Sequence, residues 1–163
     1  MSEIILPRKW TVRAHGQRMI FLRGLQERAE HVVMKALLWA LYLPDYPDLR
    51  VEVRVGDHHY KPDVVQVDAA EKPLFWGEAG MVSKKKIETL TRRYRSTHFV
   101  ITKWNKRLDP LVELVTGALG DVNRDAPFDL ISFEPDSFER FFNEKGEVTV
   151  SHDDLTHWVR LNR

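Results

Sequence analysis

Two carboxylates stand where the residues around them are apolar. Asp63 lies in KPDVVQV and Glu78 in PLFWGEAG, two β-forming runs joined by the polar connection Asp68-Ala69-Ala70-Glu71-Lys72. An ionised acid in such surroundings is costly unless a cation or hydrogen bonds accompany it. A turn centred between Ala70 and Glu71 sets Asp63 directly opposite Glu78, and alternation puts Asp63 on a face with Val65 and Val67, and Glu78 with Leu74 and Trp76. Opposed residues have Cβ atoms about 4.5–5.5 Å apart, close enough for two like charges to repel. A divalent cation with oxygen ligands at about 2.0–2.6 Å would relieve that repulsion. Without one, one acid has a raised pKa, and the alternative is a structural ion pair between one acid and a basic residue of the following helix.

The elements that must position these acids follow from periodicity. Residues 10–23 hold two short runs, WTVRA and RMIFLR, separated by His15-Gly16-Gln17, which predicts a hairpin. Residues 25–43 carry Leu25, Ala29, Val32, Val33, Ala36, Leu37, Ala40 and Leu41 on one helical face, ended by Pro44. Glu30 borders that face near the helix start; pairing with a basic residue one turn away is the alternative to a role in a site. LRVEVRVG (49–56) alternates like a half-buried strand and Gly56-Asp57 turns the chain, with further strands over 58–68 and 73–80. Ser83 is placed to cap a helix over 84–94 with Ile87, Leu90, Thr91 and Tyr94 facing inward. THFVITK (97–103) is the next strand, able to lie parallel to its predecessor across the helix. Beyond it the pattern predicts a helix (110–119), a strand (128–133), a helix (135–143), a short strand (147–150) and a last helical turn or two (153–160). The order gives an α/β domain around a mixed sheet, read as one domain over 1–163.

Composition limits the chemistry. The absence of cysteine excludes disulfides, thiolate catalysis and cysteine-based zinc sites, and it fits a reducing cytosol. The longest apolar run, 36–43, is too short to span a bilayer, so a cytoplasmic protein with no membrane partner is expected. A net charge of +1 conceals a bipolar arrangement. Lys84, Lys85, Lys86, Arg92, Arg93, Arg95, Lys103, Lys106 and Arg107 face the single acid Glu88 between residues 84 and 107, whereas acids predominate over 109–154. Three lysines at a helix start oppose the helix dipole, which suggests an anion nearby, although such runs are commonly just solvated. Arg92, Arg93 and Arg95, with Lys86, could extend a strip contacting the phosphates of DNA or RNA. His58-His59 at a turn, and His152 with His157, have no firm metal-ligand spacing and read as surface histidines.

Glu30 in ERAEHVVMKALLWAL, Pro62-Asp63 in KPDVV and Glu78 in LFWGEAGMVSKKKI, in that order, resemble the PD-(D/E)XK nuclease superfamily, and more closely its YaeQ-like branch. The resemblance covers roughly residues 18–103. It implies a restriction-endonuclease-like core, a mixed β-sheet flanked by helices in the order helix, three strands, helix, strand, with additional N- and C-terminal elements. It also implies metal-dependent hydrolysis of nucleic-acid phosphodiesters, or a catalytically inactive relative that binds nucleic acid or a protein. In that reading Asp63, Glu78 and the Ala79 carbonyl hold Mg2+ or Mn2+, with Glu30 supporting them. The pattern expects a lysine where this chain has Gly80. The helical wheel offers Lys84 as the replacement amine, with Lys86 flanking and Lys85 pointing away; the resemblance favours Lys85, and Lys103 is a third choice.

Overall fold

The apolar run over 32–43 is buried along its whole length and forms the centre of the fold. In the computed structural model, which describes residues 3–56 and 59–161, it belongs to helix α1 (Ala29–Tyr42), where only Glu30 and His31 keep appreciable exposure. A helix apolar on nearly all sides has to be covered on nearly all sides. One side of α1 packs on a sheet through Val64, Phe75, Ala79 and Val100; the opposite side is covered by β1 (Lys9–Ala14) and β2 (Gln17–Leu22). Each fully buried side chain such as Leu37 or Leu38 contributes about 1.5–3 kcal/mol.

The main sheet runs in the order β3 (Arg50–Val51), β4 (Val64–Val67), β5 (Pro73–Ala79), β6 (His98–Trp104), β7 (Phe128–Phe133) and β8 (His157–Leu161). β5, β6 and β7 are parallel, and the remaining pairs are antiparallel. The parallel connections pass through α2 (Lys84–Arg93) and α3 (Asp109–Leu119). These two helices cover the face opposite α1, over Val65, Trp76, Phe99, Ile101 and Leu130. The result is a mixed α/β fold with a six-stranded sheet between helices. No helix among the described residues is long and apolar enough to cross a membrane.

Several expected elements are present. The hairpin forms with His15 and Gly16 as a two-residue turn, both at positive φ as such a turn requires. Ser83 Oγ accepts from Lys86 N–H at 3.1 Å and caps α2, whose Ile87, Leu90 and Thr91 are buried. Tyr94 stacks on Trp76 with ring centroids 6.1 Å apart.

Other elements differ for identifiable reasons. α1 begins at Ala29, because Glu27 Oε1 accepts the Gly24 N–H and holds a turn that leaves Leu25 84% exposed. The strand expected over 49–56 ends after Val51, because Glu52 adopts a left-handed φ of 59° and turns its carboxylate to Lys35. The strand expected from residue 58 is formed only from Val64; Asp57 and His58 lie outside the described residues. A short α4 spans Ser137–Phe141, shorter than the expected 135–143. In place of a strand over 147–150 there are isolated bridges, Arg13 with Glu147 and Phe142 with Val148. The expected final helical turns are instead a short 3-10 turn (His152–Asp154) and strand β8, which pairs with β7 from Ser132 to Phe128.

β8 is also held by a buried cluster at the end of the sheet where β6 and β7 begin. Asp129 is fully buried and accepts from Arg160 at 2.8 and 3.0 Å, from Tyr42 Oη at 2.7 Å, and meets His98 Nε2 at 2.8 Å. Burial raises the Asp129 pKa, yet these partners outweigh it and hold the carboxyl well below its ordinary range. His152 closes the cluster 3.2 Å from Tyr42 Oη, whereas His157 is exposed on β8.

Candidate functional site

Asp63 and Glu78 both lie by the end of β5, near enough for the charge of Asp63 to act on Glu78, but not as a directly facing pair. The expected register holds over Val64–Gly77, Val65–Trp76 and Gln66–Phe75. The ladder shifts between Gln66 and Val67, where Val67 meets Pro73, and it ends at Val64. Asp63 lies just ahead of the strand, where its N–H donates to Gly77 O at 3.0 Å, so it escapes the strict alternation that would set it facing Glu78. The Asp63 carboxylate accepts the Ala79 N–H at 2.8 Å and lies 4.0 Å from His31 Nε2 on α1. Glu78 points to the other face with Trp76. It accepts from the Trp76 indole at 2.8 Å and pairs with Lys86 Nζ at 2.8 Å.

Both acids are poorly compensated. Burial pushes the Asp63 carboxyl above its ordinary range, despite the Ala79 N–H and the nearby His31 and Lys35 charges. Burial likewise raises Glu78 against the opposing pull of Lys86 and Trp76, and the negative charge of Asp63 adds to the rise. The second oxygen of each carboxylate has no hydrogen-bond partner among the described residues. No three His, Asp or Glu side chains among those residues gather as a metal-holding group.

The backbone after Glu78 is fixed by side chains from α1 and β6. His31 sits between two oxygens, the Glu27 carboxylate at Nδ1 and the Ala79 carbonyl, 2.9 Å from Nε2. Both ring nitrogens thus face oxygen atoms, one from a side chain and one from the backbone. Glu27 also pairs with Lys35 at 2.7 Å, and Lys35 reaches Glu52 at 2.9 Å. Burial opposes charge on Lys35, but the two carboxylates outweigh it and raise its pKa, while Glu27 is held low despite its own burial. Lys103 Nζ donates to Gly80 O at 2.8 Å. Gly80 has φ +96°, a conformation that a side chain makes costly, so a lysine at this position would be strained.

The basic residues divide. Lys86, not Lys84, brings its amine to Glu78, because Lys84 runs over α3 and ends beside Gly117. Lys85 is exposed. Arg92, Arg93 and Arg95 are exposed at and just past the far end of α2, about 10 Å along the helix from Lys86. Glu30 lies in the first turn of α1 and lines a cavity of about 650 Å³ with His31, Gly80 and Lys103. It has no ion-pair or hydrogen-bond partner among the described residues, and Glu27 makes the contacts to His31 and Lys35. His31, Glu27, Lys35 and Glu52 were missed from sequence. Lys35 carried a signal, as the one charged residue in the apolar run 32–43.

A helix-covered mixed sheet with two desolvated carboxylates at the end of its third strand defines the structural class. Solved structures that this fold is similar to include two YaeQ proteins. The YaeQ protein from Pseudomonas syringae matches with a TM-score of 0.56 and 16% identity over 78% of this chain and 66% of that one. The YaeQ protein from Xanthomonas axonopodis pv. citri matches with a TM-score of 0.54 and 14% identity over 76% of this chain and 72% of that one. No protein-family model matches the sequence, and comparison with the curated proteins finds no match.

Proposed function

We propose that this chain is a YaeQ-like member of the PD-(D/E)XK superfamily and a divalent-cation-dependent phosphodiester hydrolase acting on nucleic acid. The observation that carries the reading is the pair Asp63 and Glu78, the first half-buried and the second buried, both raised in pKa and each with an oxygen that has no partner among the described residues. A donor set of this kind suits Mg2+ or Mn2+, which are held by one or two carboxylates and keep several waters, so a third acidic side chain is not required. Asp63 and Glu78 would hold the ion, with the Ala79 carbonyl as a backbone donor. The ion supplies an activated water and positive charge for the phosphoryl group.

The protein's own residues do the rest. His31 meets the Ala79 carbonyl, and the Ala79 N–H holds the Asp63 carboxylate at the strand end. Lys86, held by Glu78, brings an amine to the site from the helix that follows Gly80, and it lies 5.2 Å from the Tyr60 ring centroid. An ammonium there stabilises charge developing on phosphate oxygens. Lys84, Lys85 and the arginines of α2 serve phosphate positioning at greater distance. Incubation of single- and double-stranded DNA and RNA with Mg2+ or Mn2+ tests the reading. Cleavage that disappears in Asp63→Asn supports it, and cleavage unchanged in that variant refutes it.

A second reading has its own observation. Lys86 already pairs with Glu78, and His31 already meets the Ala79 carbonyl, as in a fold kept for binding rather than cleavage. That reading predicts nucleic-acid binding that is indifferent to chelator and to Asp63→Asn.

A further inference from the structure

The 650 Å³ cavity beside Gly80 lies between the segment leading into α1 and the ends of β5 and β6. Its walls include Arg28, His31, Met81, Lys103, Trp104 and Lys106. Its volume is that of a site for one small ligand. The charges in it are unequally satisfied. Glu27 is matched by Lys35 and His31, which leaves Glu30 as the one unpaired acid against Arg28, Lys103 and Lys106.

The less exposed cations differ in their partners: Lys35 and Lys86 each have a carboxylate, whereas Arg124 has the carbonyls of Thr91, Tyr94 and Thr97 and Arg23 has that of Glu27. Lys103 has one carbonyl, that of Gly80, and no carboxylate among the described residues. Burial and the neighbouring charge of Lys106 both lower its pKa. Two amines sharing a wall without a counter-ion are suited to an anion. The same cavity offers a soft, flat surface: Trp104 is half-buried and Met81 is 94% exposed. An aromatic face stacks any nucleobase for about 1–3 kcal/mol.

Placement supplies the rest. The cavity reaches Gly80, two residues past Glu78, and His31 belongs both to its wall and to the Ala79 carbonyl of the carboxylate site. We infer that this cavity takes the terminal nucleotide of a single strand, its phosphate on Lys103, Lys106 and Arg28 and its base against Trp104 and Met81. The inference rests on the nucleic-acid reading of the neighbouring carboxylates and deepens it: the substrate is a strand end rather than the interior of a duplex. Glu30 offers an acceptor to sugar hydroxyl or base amino groups.

The test uses the full chain in chelator, so that binding is read without cleavage. Fluorescently labelled single strands with and without a terminal phosphate are titrated, beside a blunt duplex and a nucleoside monophosphate. The expected result is at least ten-fold tighter binding of the phosphorylated single strand than of the hydroxyl-ended one. Lys103→Met should abolish that difference, and so should Lys106→Ser, at an exposed position where folding is not at risk. Asp63→Asn should retain it. Equal binding of both ends, equal binding of the duplex, tight binding of the mononucleotide without the strand, or an undiminished preference in both lysine variants would each overturn the inference. Failure of the hydrolase reading looks different: no cleavage and no cation response, with the phosphate preference intact. Failure of the cavity reading leaves cation-dependent cleavage intact without the preference.

Discussion

Asp63→Asn should make the cation-free protein more stable while removing its response to cations. The side chain is 16% exposed, and burial raises its pKa in the fold. Asparagine keeps an oxygen for the Ala79 N–H and removes the charge. A group whose folded pKa is raised favours folding below its unfolded value, near 3.9, and loses that contribution as pH rises through the folded value. At pH 7 the wild-type carboxylate therefore carries a cost, taken as about 1–3 kcal/mol for a buried polar group short of partners. A chain of this size shifts by about 2–4 °C per kcal/mol, so the variant should melt about 2–12 °C higher in chelator at pH 7. The gain should vanish toward pH 4. With Mg2+ or Mn2+ at about a hundred times its Kd, the wild type should gain about 2.7 kcal/mol, or about 5–11 °C, and the variant far less. Differential scanning fluorimetry across pH, with and without cation, reads both arms. A lower Tm for the variant in chelator would show that Asp63 is a structural partner of His31 and Lys35, and would refute the reasoning.

Three further perturbations follow from the same geometry. Asp129→Asn breaks a buried charge cluster and should cost about 3–5 kcal/mol in chemical denaturation. Because the folded pKa of Asp129 is depressed, wild-type stability from this group is present above the unfolded value and is lost as pH falls below about 4, so the variant's Tm should be flatter in that range. Gly146→Ala places a Cβ against the Thr11 carbonyl at φ +78° and should destabilise by about 1–3 kcal/mol, with faster hydrogen exchange at the Arg13 amide, which donates to Gly146 O. Lys86→Met removes the cation paired with Glu78 and pushes its carboxyl higher still, so the pH midpoint for Mn2+ binding should rise; an unchanged midpoint would show that Lys86 does not govern Glu78.

Much of the sheet was legible because it is locally encoded. His15-Gly16 needs left-handed backbone and Ser83 precedes a helical period; the register expected for β4 and β5 is met over three pairs, although the turn from Asp68 to Lys72 has an odd length and a shift between Gln66 and Val67 offsets it. What stayed hidden depends on distant partners. The placement of Asp63 depends on the Gly77 carbonyl, the Ala79 amide and His31, none of which neighbours it in sequence. Glu52 leaves its strand for Lys35, seventeen positions away, and β8 exists because β7 offers an open edge and Asp129 holds Arg160. Glu30 had the right helix and order for a supporting acid, yet Glu27, held in a turn ahead of the helix, takes the contacts. The choice of Lys86 over Lys84 depended on how α2 rests against α3, which a helical wheel alone does not contain.

In the proposed function, Asp63 and Glu78 hold one divalent cation between them. Titration of the chain with Mn2+, following the free ion by electron paramagnetic resonance, tests it most directly. One saturable site per chain is expected, displaced by excess Mg2+ and lost in both Asp63→Asn and Glu78→Gln. No saturable binding, or binding that survives both substitutions, would contradict it.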